Sequence, residues 1–257
     1  QDGRQLHYED IFRLCTGNGQ IRTVSGIQGY SRQKETGTVG YPCWSTFPAP
    51  CSHHKRIESQ KDQIALLKQG DPEGKYWVPA MADSPLRGAN GRHEWFWEPD
   101  DENNIYPLTT LMDMYEKSVG RNATLIIGLT PDPDGLLPAG DEQRLKEWGE
   151  EINRRFGTPL AETQGRKQRL TLNLNEKQPV NYCIIQEDIA KGERIRQYKI
   201  EAKVNGKWQT VCSGESVGHK RIAHFEPVET TALRLTVTQS VAVPEIRHFS
   251  AYNVTLK

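Results

Sequence analysis

No run of about 18 apolar residues occurs in the 257-residue chain, so no segment reads as a membrane-spanning helix. An excess of charge is missing as well. Lys and Arg total 33 against 33 Asp and Glu, which argues against the basic surface that a phosphate backbone demands, and nucleic acid is not an expected partner. The five cysteines (Cys15, Cys43, Cys51, Cys183 and Cys212) include no CxxC pair and no histidine spacing suited to zinc. Cys43 and Cys51 are near enough in sequence to close a loop, with five free or buried thiols as the alternative. No targeting segment opens the chain, and its first residue is Gln1 rather than Met, so further sequence is expected upstream. What is present is a polar chain, mean hydropathy −0.72 and 35% hydrophobic, long enough for one large or two ordinary domains.

The two halves differ in kind. Up to about residue 158, apolar strand-like runs alternate with helical periods. Strand candidates are IRTVS (21–25), KYWVPAM (75–81) and TLIIGL (124–129), the last a continuous apolar run of the sort a parallel strand shows when buried on both faces. Helical segments lie at 55–70, around Leu108, Leu111, Met112 and Tyr115, and at 141–156. There Leu145, Trp148, Ile152 and Phe156 make one apolar stripe, with Asp141 as N-cap, Gly157 as C-cap and Pro159 as stop. This alternation predicts a parallel α/β unit such as part of a (β/α) barrel.

After a polar linker, TPLAETQGRK (158–167), the pattern becomes short alternating strands: RLTLNL, YCIIQE, RQYKIEAKV, KWQTVC, KRIAHF, ALRLTV and FSAYNV. Asn205-Gly206 is a two-residue hairpin signal. These strands, without any helical period, predict an all-β jelly-roll sandwich over residues 159–257, following an α/β domain over 1–158.

In a parallel barrel, functional side chains sit after the C-terminal ends of the strands, and HEWFWEPDDEN (93–103) falls in such a loop. Flat apolar rings beside hydrogen-bonding groups suit a sugar, whose C–H face stacks on an aromatic while its hydroxyls take polar partners. Asp100, Asp101 and Glu102 read as a solvated face, and His93 as an ordinary loop histidine. Asn122 and Asn253 stand in Asn-x-Thr sequons, and Asn122, directly before a buried strand, is a poor site for glycosylation. Asp132 and Asp134 read as turn residues, with Gly135 supplying a positive φ.

The ordered segments WVPAMADSPLRG, HEWFWEP, SVGRNATLIIGLTPDPDGLL and VGHKRI together resemble the α-L-fucosidases of glycoside hydrolase family 29, most nearly the subgroup acting on α-1,3 and α-1,4 linked fucose. The resemblance runs over nearly the whole chain. It implies the C-terminal half of a (β/α)8-like TIM barrel followed by a galactose-binding-like β-sandwich. It also implies a retaining exo-glycosidase that takes fucosylated glycans, uses no cofactor and works in the periplasm or outside the cell. Retaining hydrolysis needs two carboxyl groups about 5 Å apart, a nucleophile and a general acid that later serves as base. The resemblance puts the nucleophilic Asp before Gln1, so this chain looks like the later part of the enzyme and its missing partner is the earlier part of the same barrel.

The acid/base Glu of the pattern aligns with Gln28, an amide of the same shape that has no proton to give at neutral pH. Gln28 is then an engineered replacement or a natural loss of the acid; otherwise it is a turn residue, with Glu94 or Glu98 as the acid. Met81 stands where the pattern has Glu. The implied substrate-binding set is Trp95, Arg87, Asp83, Trp44 and Trp97, with Trp95 stacking on the sugar and an ion pair that shapes the loop as the plainer role for Arg87 and Asp83. Two other readings compete with the fucosidase. One is a glycosidase of the same fold for an α-L-galactoside or α-L-glucoside; the other is a carbohydrate-binding protein without catalysis.

Overall fold

The computed structural model describes residues 22–23, 37–48, 60–90 and 96–256. In the first part, β1 (Arg22–Thr23) lies parallel to β4 (Ala80–Pro85), which lies parallel to β5 (Ala123–Gly128). A small antiparallel pair joins β2 (Thr46–Phe47) to β3 (Tyr76–Trp77). Helix α1 spans Gln60–Gln69, α2 Leu108–Lys117 and α3 Ala139–Phe156. The run KYWVPAM is thus two strands. Pro79, which has no N–H to give a ladder, separates them.

Side chains alternate across a strand, and the clusters show which face is covered. Ala80 and Ala82 pack with Val39 and Cys43, and with Ala123 and Leu125. Leu125 and Ile127 also join Leu111 and Met114 of α2 and Leu145 and Trp148 of α3. The helices therefore cover the face that carries Ala123, Leu125 and Ile127. The expectation that TLIIGL is buried on both faces does not hold among the described residues: Thr124 is exposed and Leu125, Ile126 and Ile127 are half-buried, with β5 paired there to β4 alone.

Helix α3 carries its apolar stripe as the spacing predicts and ends at Gly157, whose N–H reaches Asn153 O at 2.7 Å. Its start differs. Pro138 occupies the N-cap position and Asp141 lies inside the first turn, its carboxylate committed elsewhere.

The second part is one antiparallel sheet system in the order β6-β11-β7-β10-β8-β9. Its strands are β6 (Ala161–Gly165), β7 (Arg169–Glu187), β8 (Ile195–Val204), β9 (Lys207–Gly214), β10 (Arg221–Ser240) and β11 (Ile246–Tyr252). Seven short strands were expected. Instead RLTLNL and YCIIQE fuse into β7, and KRIAHF and ALRLTV fuse into β10, because the two pair along their whole length through register shifts at His224/Val228 and Thr230/Ala232. Buried Thr230 holds the second irregularity: its hydroxyl accepts from Lys203 N at 3.1 Å and bonds Ala232 O at 2.8 Å. The expected linker is itself partly β6, which edges the sheet on β11. The Asn205-Gly206 hairpin is as predicted, with φ of 48° and 76° at its two residues. Leu172, Ile185, Ile200, Leu233 and Phe249 are among the fully buried side chains of its core.

Candidate active site

The site begins where β4 ends. Asp83 stands opposite Ile126 in the ladder, on the strand face away from α2 and α3, and Met81 lies two residues back on that face. Asp83 Oδ1 is buried and makes no hydrogen bond among the described residues. Past the strand, Leu86 N donates to Gly128 O at 2.9 Å and Tyr106 N to Leu86 O at 3.0 Å, so the chain is stitched at the strand mouth.

Arg87 follows and is 2% exposed. Its Nε donates to Asp141 Oδ1 at 3.0 Å, and Nη2 is 3.0 Å from the same oxygen. Nη1 is 3.9 Å from Asp101 Oδ2. Asp101, expected on a solvated face, is 7% exposed, and its other oxygen accepts from Asn104. Only Asp100 and Glu102 of that trio are exposed. Two acids from different segments thus hold one guanidinium, and among the described residues Nη1 and Nη2 are left without an aligned hydrogen bond. Neither partner of Arg87 was legible in advance: Asp141 read as a cap and Asp101 as a surface charge.

Above this pair the aromatic loop emerges, with Phe96 84% exposed and Trp97 and Glu98 half-buried. Trp95, His93, Glu94 and Gln28 lie outside the described residues. Trp44 is placed differently: it is 4% exposed, with the Arg196 guanidinium 5.0 Å from its ring centroid, which leaves little of the ring for a ligand. Asp132 is the turn residue expected, its Oδ1 accepting from Asp134 N at 3.0 Å and Leu136 N at 2.9 Å around Gly135 at φ 77°.

A second constellation fixes this unit to the sandwich. Asn122 is 6% exposed at φ 65°. Its two amide protons are shared among Cys43 O at 3.0 Å, Ser45 Oγ at 3.2 Å and a Glu193 carboxylate oxygen, while its Oδ1 accepts from His219 N at 2.7 Å. That amide has no room for a glycan, as the sequence position suggested. Glu193 also accepts from Ser45 N at 3.0 Å, and Cys43 N donates to Ser216 Oγ at 2.9 Å. Behind it, Glu187 takes N–H groups from Arg194, Ile195 and Gly218. Burial pushes Glu187 up to about 7; those three donors pull the other way, and Glu193 nearby adds to the rise. Cys43 and Cys183 are fully buried, and Cys51 lies outside the described residues.

Comparisons with known proteins follow the same division. Residues 151–248 match the family described as F5/8 type C domain, which agrees with the sheet-rich second part. Over most of its length the chain is similar to α-L-fucosidases. It is 28% identical over 255 residues to "Alpha-L-fucosidase 1" of Arabidopsis thaliana, covering 85% of this chain and 48% of that protein. A crystal structure from Bacteroides thetaiotaomicron with a provisional α-L-fucosidase designation is 71% identical at a TM-score of 0.84, covering 92% of this chain and 51% of that one. A glycoside hydrolase 29 family member from an unknown rumen bacterium is 27% identical at a TM-score of 0.77, covering 93% and 41%. These names support the glycoside hydrolase 29 type of α-L-fucosidase. The chain spans about half the length of the curated relatives it matches.

Proposed function

We propose that the chain is part of a retaining exo-α-L-fucosidase that releases α-L-fucose from fucosylated oligosaccharides of the α-1,3/1,4 type, outside the cytoplasm. The observation that carries this reading is the likeness to proteins named as fucosidases across both parts of the chain at once. In this reading residues 1–158 form the later part of a TIM barrel and 159–257 its sandwich. The parallel order β1-β4-β5 with helices on one face suits that barrel, whose lumen would be lined from the Met81 and Asp83 side.

The mechanism follows from charge and shape. An upstream Asp attacks the anomeric carbon, and a proton must reach the leaving oxygen in the same step. Position 28 is where that donor belongs, and an amide there leaves the leaving group unassisted. Trp95 stacks on the apolar edge of the sugar, with Trp97 beside it. Asp83 offers one buried oxygen with no hydrogen bond among the described residues, a condition that a sugar hydroxyl would relieve. Arg87, tied by Asp141 and Asp101, holds the strand mouth in shape.

The test compares the full-length parent carrying Gln28 with its Gln28→Glu variant on a natural fucosyl oligosaccharide. A sugar alkoxide is a poor leaving group, so restoring the carboxyl group should raise turnover roughly 10²–10⁴-fold. Equal activity of the two forms would move the acid elsewhere, to Glu94 or Glu98; inertness of both would sink the fucosidase reading.

A further inference from the structure

A groove of about 360 Å³ runs between α3 and the sandwich, away from the strand mouth of β4. This is within the size range of small-molecule sites. Its floor is aromatic: Tyr115 from α2, Phe156 from α3 and Tyr252 from β11 line it. Phe156 stacks on Tyr115 at 6.4 Å and meets Tyr252 edge-on at 5.6 Å, so the rings are held in fixed orientations. Such rings offer a flat C–H-binding surface, and Gln186 and Asn153 place amides on the rim.

The rim carries one ammonium, Lys220, and one carboxylate, Glu162, at its edge. Lys220 and His248 line the groove. Arg247 stands close behind, its guanidinium 3.3 Å from His219 Nδ1. Burial first, and then these neighbouring cations, lower the pKa of Lys220, His219 and His248, with Glu162 opposing the shift at His248. Among the described residues the one carboxylate answering them is Glu162, largely exposed and 3.7 Å from His248 Nδ1. Lys220 has no carboxylate partner there; its ammonium rests 3.5 Å from the Tyr115 hydroxyl and 5.9 Å from that ring. A half-buried ammonium held against an aromatic, with the Arg247 guanidinium behind it, is a place where an anion would be stabilised.

We propose that this groove is a second carbohydrate site that binds an acidic sugar, a pyranose ring carrying a carboxylate or sulfate, with the ring over Phe156 and Tyr115 and the anion on Lys220. It is separate from the fucose site and does not depend on the chain being a fucosidase. The same chemistry covers uronic acids and sulfated sugars, and the two are separated by the ligands tested.

The experiment is titration calorimetry of the full chain with methyl glucuronide, a glucose sulfate, methyl glucoside and benzoate, repeated with saturating L-fucose. The proposal expects one of the two acidic sugars to bind about 10-fold or more tightly than the neutral glucoside and benzoate, the difference that one charge-assisted hydrogen bond supplies. Lys220→Met should remove that advantage. So should Gly149→Glu, which sets a competing carboxylate on the groove wall where an added Cβ meets nothing within 4 Å, with unchanged circular dichroism. Equal binding of glucoside and acids, equal binding of benzoate, displacement by fucose, no binding of either acid, or indifference to both substitutions would overturn it.

Discussion

Replacing Asn122 by Ala tests the joint between the two parts most sharply. The substitution removes an amide that serves Cys43 O, Ser45 Oγ and Glu193 and accepts from His219 N, all at a site 6% exposed. A neutral buried hydrogen bond contributes roughly 0.5–1.5 kcal/mol net, and one to a charged group about 1.5–3 kcal/mol. Ala at φ 65° adds about 1–2 kcal/mol of backbone strain. Three neutral bonds, one to a carboxylate and the strain come to about 4–9 kcal/mol as an upper-range figure, a large share of the ~5–15 kcal/mol of a typical domain. Asn122→Gly keeps the backbone at ease and should cost about 1–2 kcal/mol less than Ala. Asn122→Asp keeps an acceptor for His219 but sets a carboxylate against Glu193, and should be the worst of the three. Urea unfolding followed by tryptophan fluorescence gives the order directly. A loss below about 1 kcal/mol for Asn122→Ala would refute the claim that this amide couples sandwich to α/β unit.

Asp141→Asn should cost about 3–5 kcal/mol in urea unfolding by leaving the Arg87 guanidinium buried with a weakened partner, and an apolar Arg87→Met/Asp141→Leu pair should recover most of it. Gly218→Ala, at φ 57° with its Cβ 2.2 Å from Asn122 Oδ1, should lower the melting temperature, and the loss should shrink in an Asn122→Gly background where the clash is gone. Stability against pH should show two opposed limbs. Glu187, raised from 4.5 to about 7, keeps its proton in the folded state over that interval while the unfolded chain has released it. Its contribution is full below about pH 4.5 and is lost as pH rises through about 7, on the order of 3 kcal/mol. Glu201, held down to about 2 by the Arg234 guanidinium, contributes above pH 4.5 and loses that contribution as pH falls toward 2. Glu187→Gln should flatten the first limb alone, and a slope that survives it would be a contradiction.

What the sequence revealed follows from the range of the forces involved. Helix α3 and the Asn205-Gly206 hairpin were readable because period and turn chemistry are local. The length of β7 and β10 was not, because Thr230 and the paired strands carry the ladder through its irregularities by contacts far apart in sequence. The same holds for the site. Asp83 and Arg87 could be placed by the segment they occupy, yet the burial of Asp101 and Asp141 depends on a guanidinium in another segment, 54 residues away for Asp141. Trp44 shows the converse: an aromatic in a loop looks like a sugar platform until Arg196 of β8 is seen over it. Asn122 stands in a sequon, and nothing local says that its amide is shared between Ser45 and Glu193.

The most direct test of the central claim is hydrolysis of para-nitrophenyl α-L-fucoside by the full-length parent, beside the corresponding α-L-galactoside. Nitrophenolate departs with little help from an acid, so its first release, the step that forms the fucosyl-enzyme, does not depend on whether residue 28 is Gln or Glu, whereas hydrolysis of that intermediate uses the same residue as base. Release of nitrophenol from the fucoside, faster than from the galactoside, is the predicted result. No release from either, or preference for the galactoside, would contradict it.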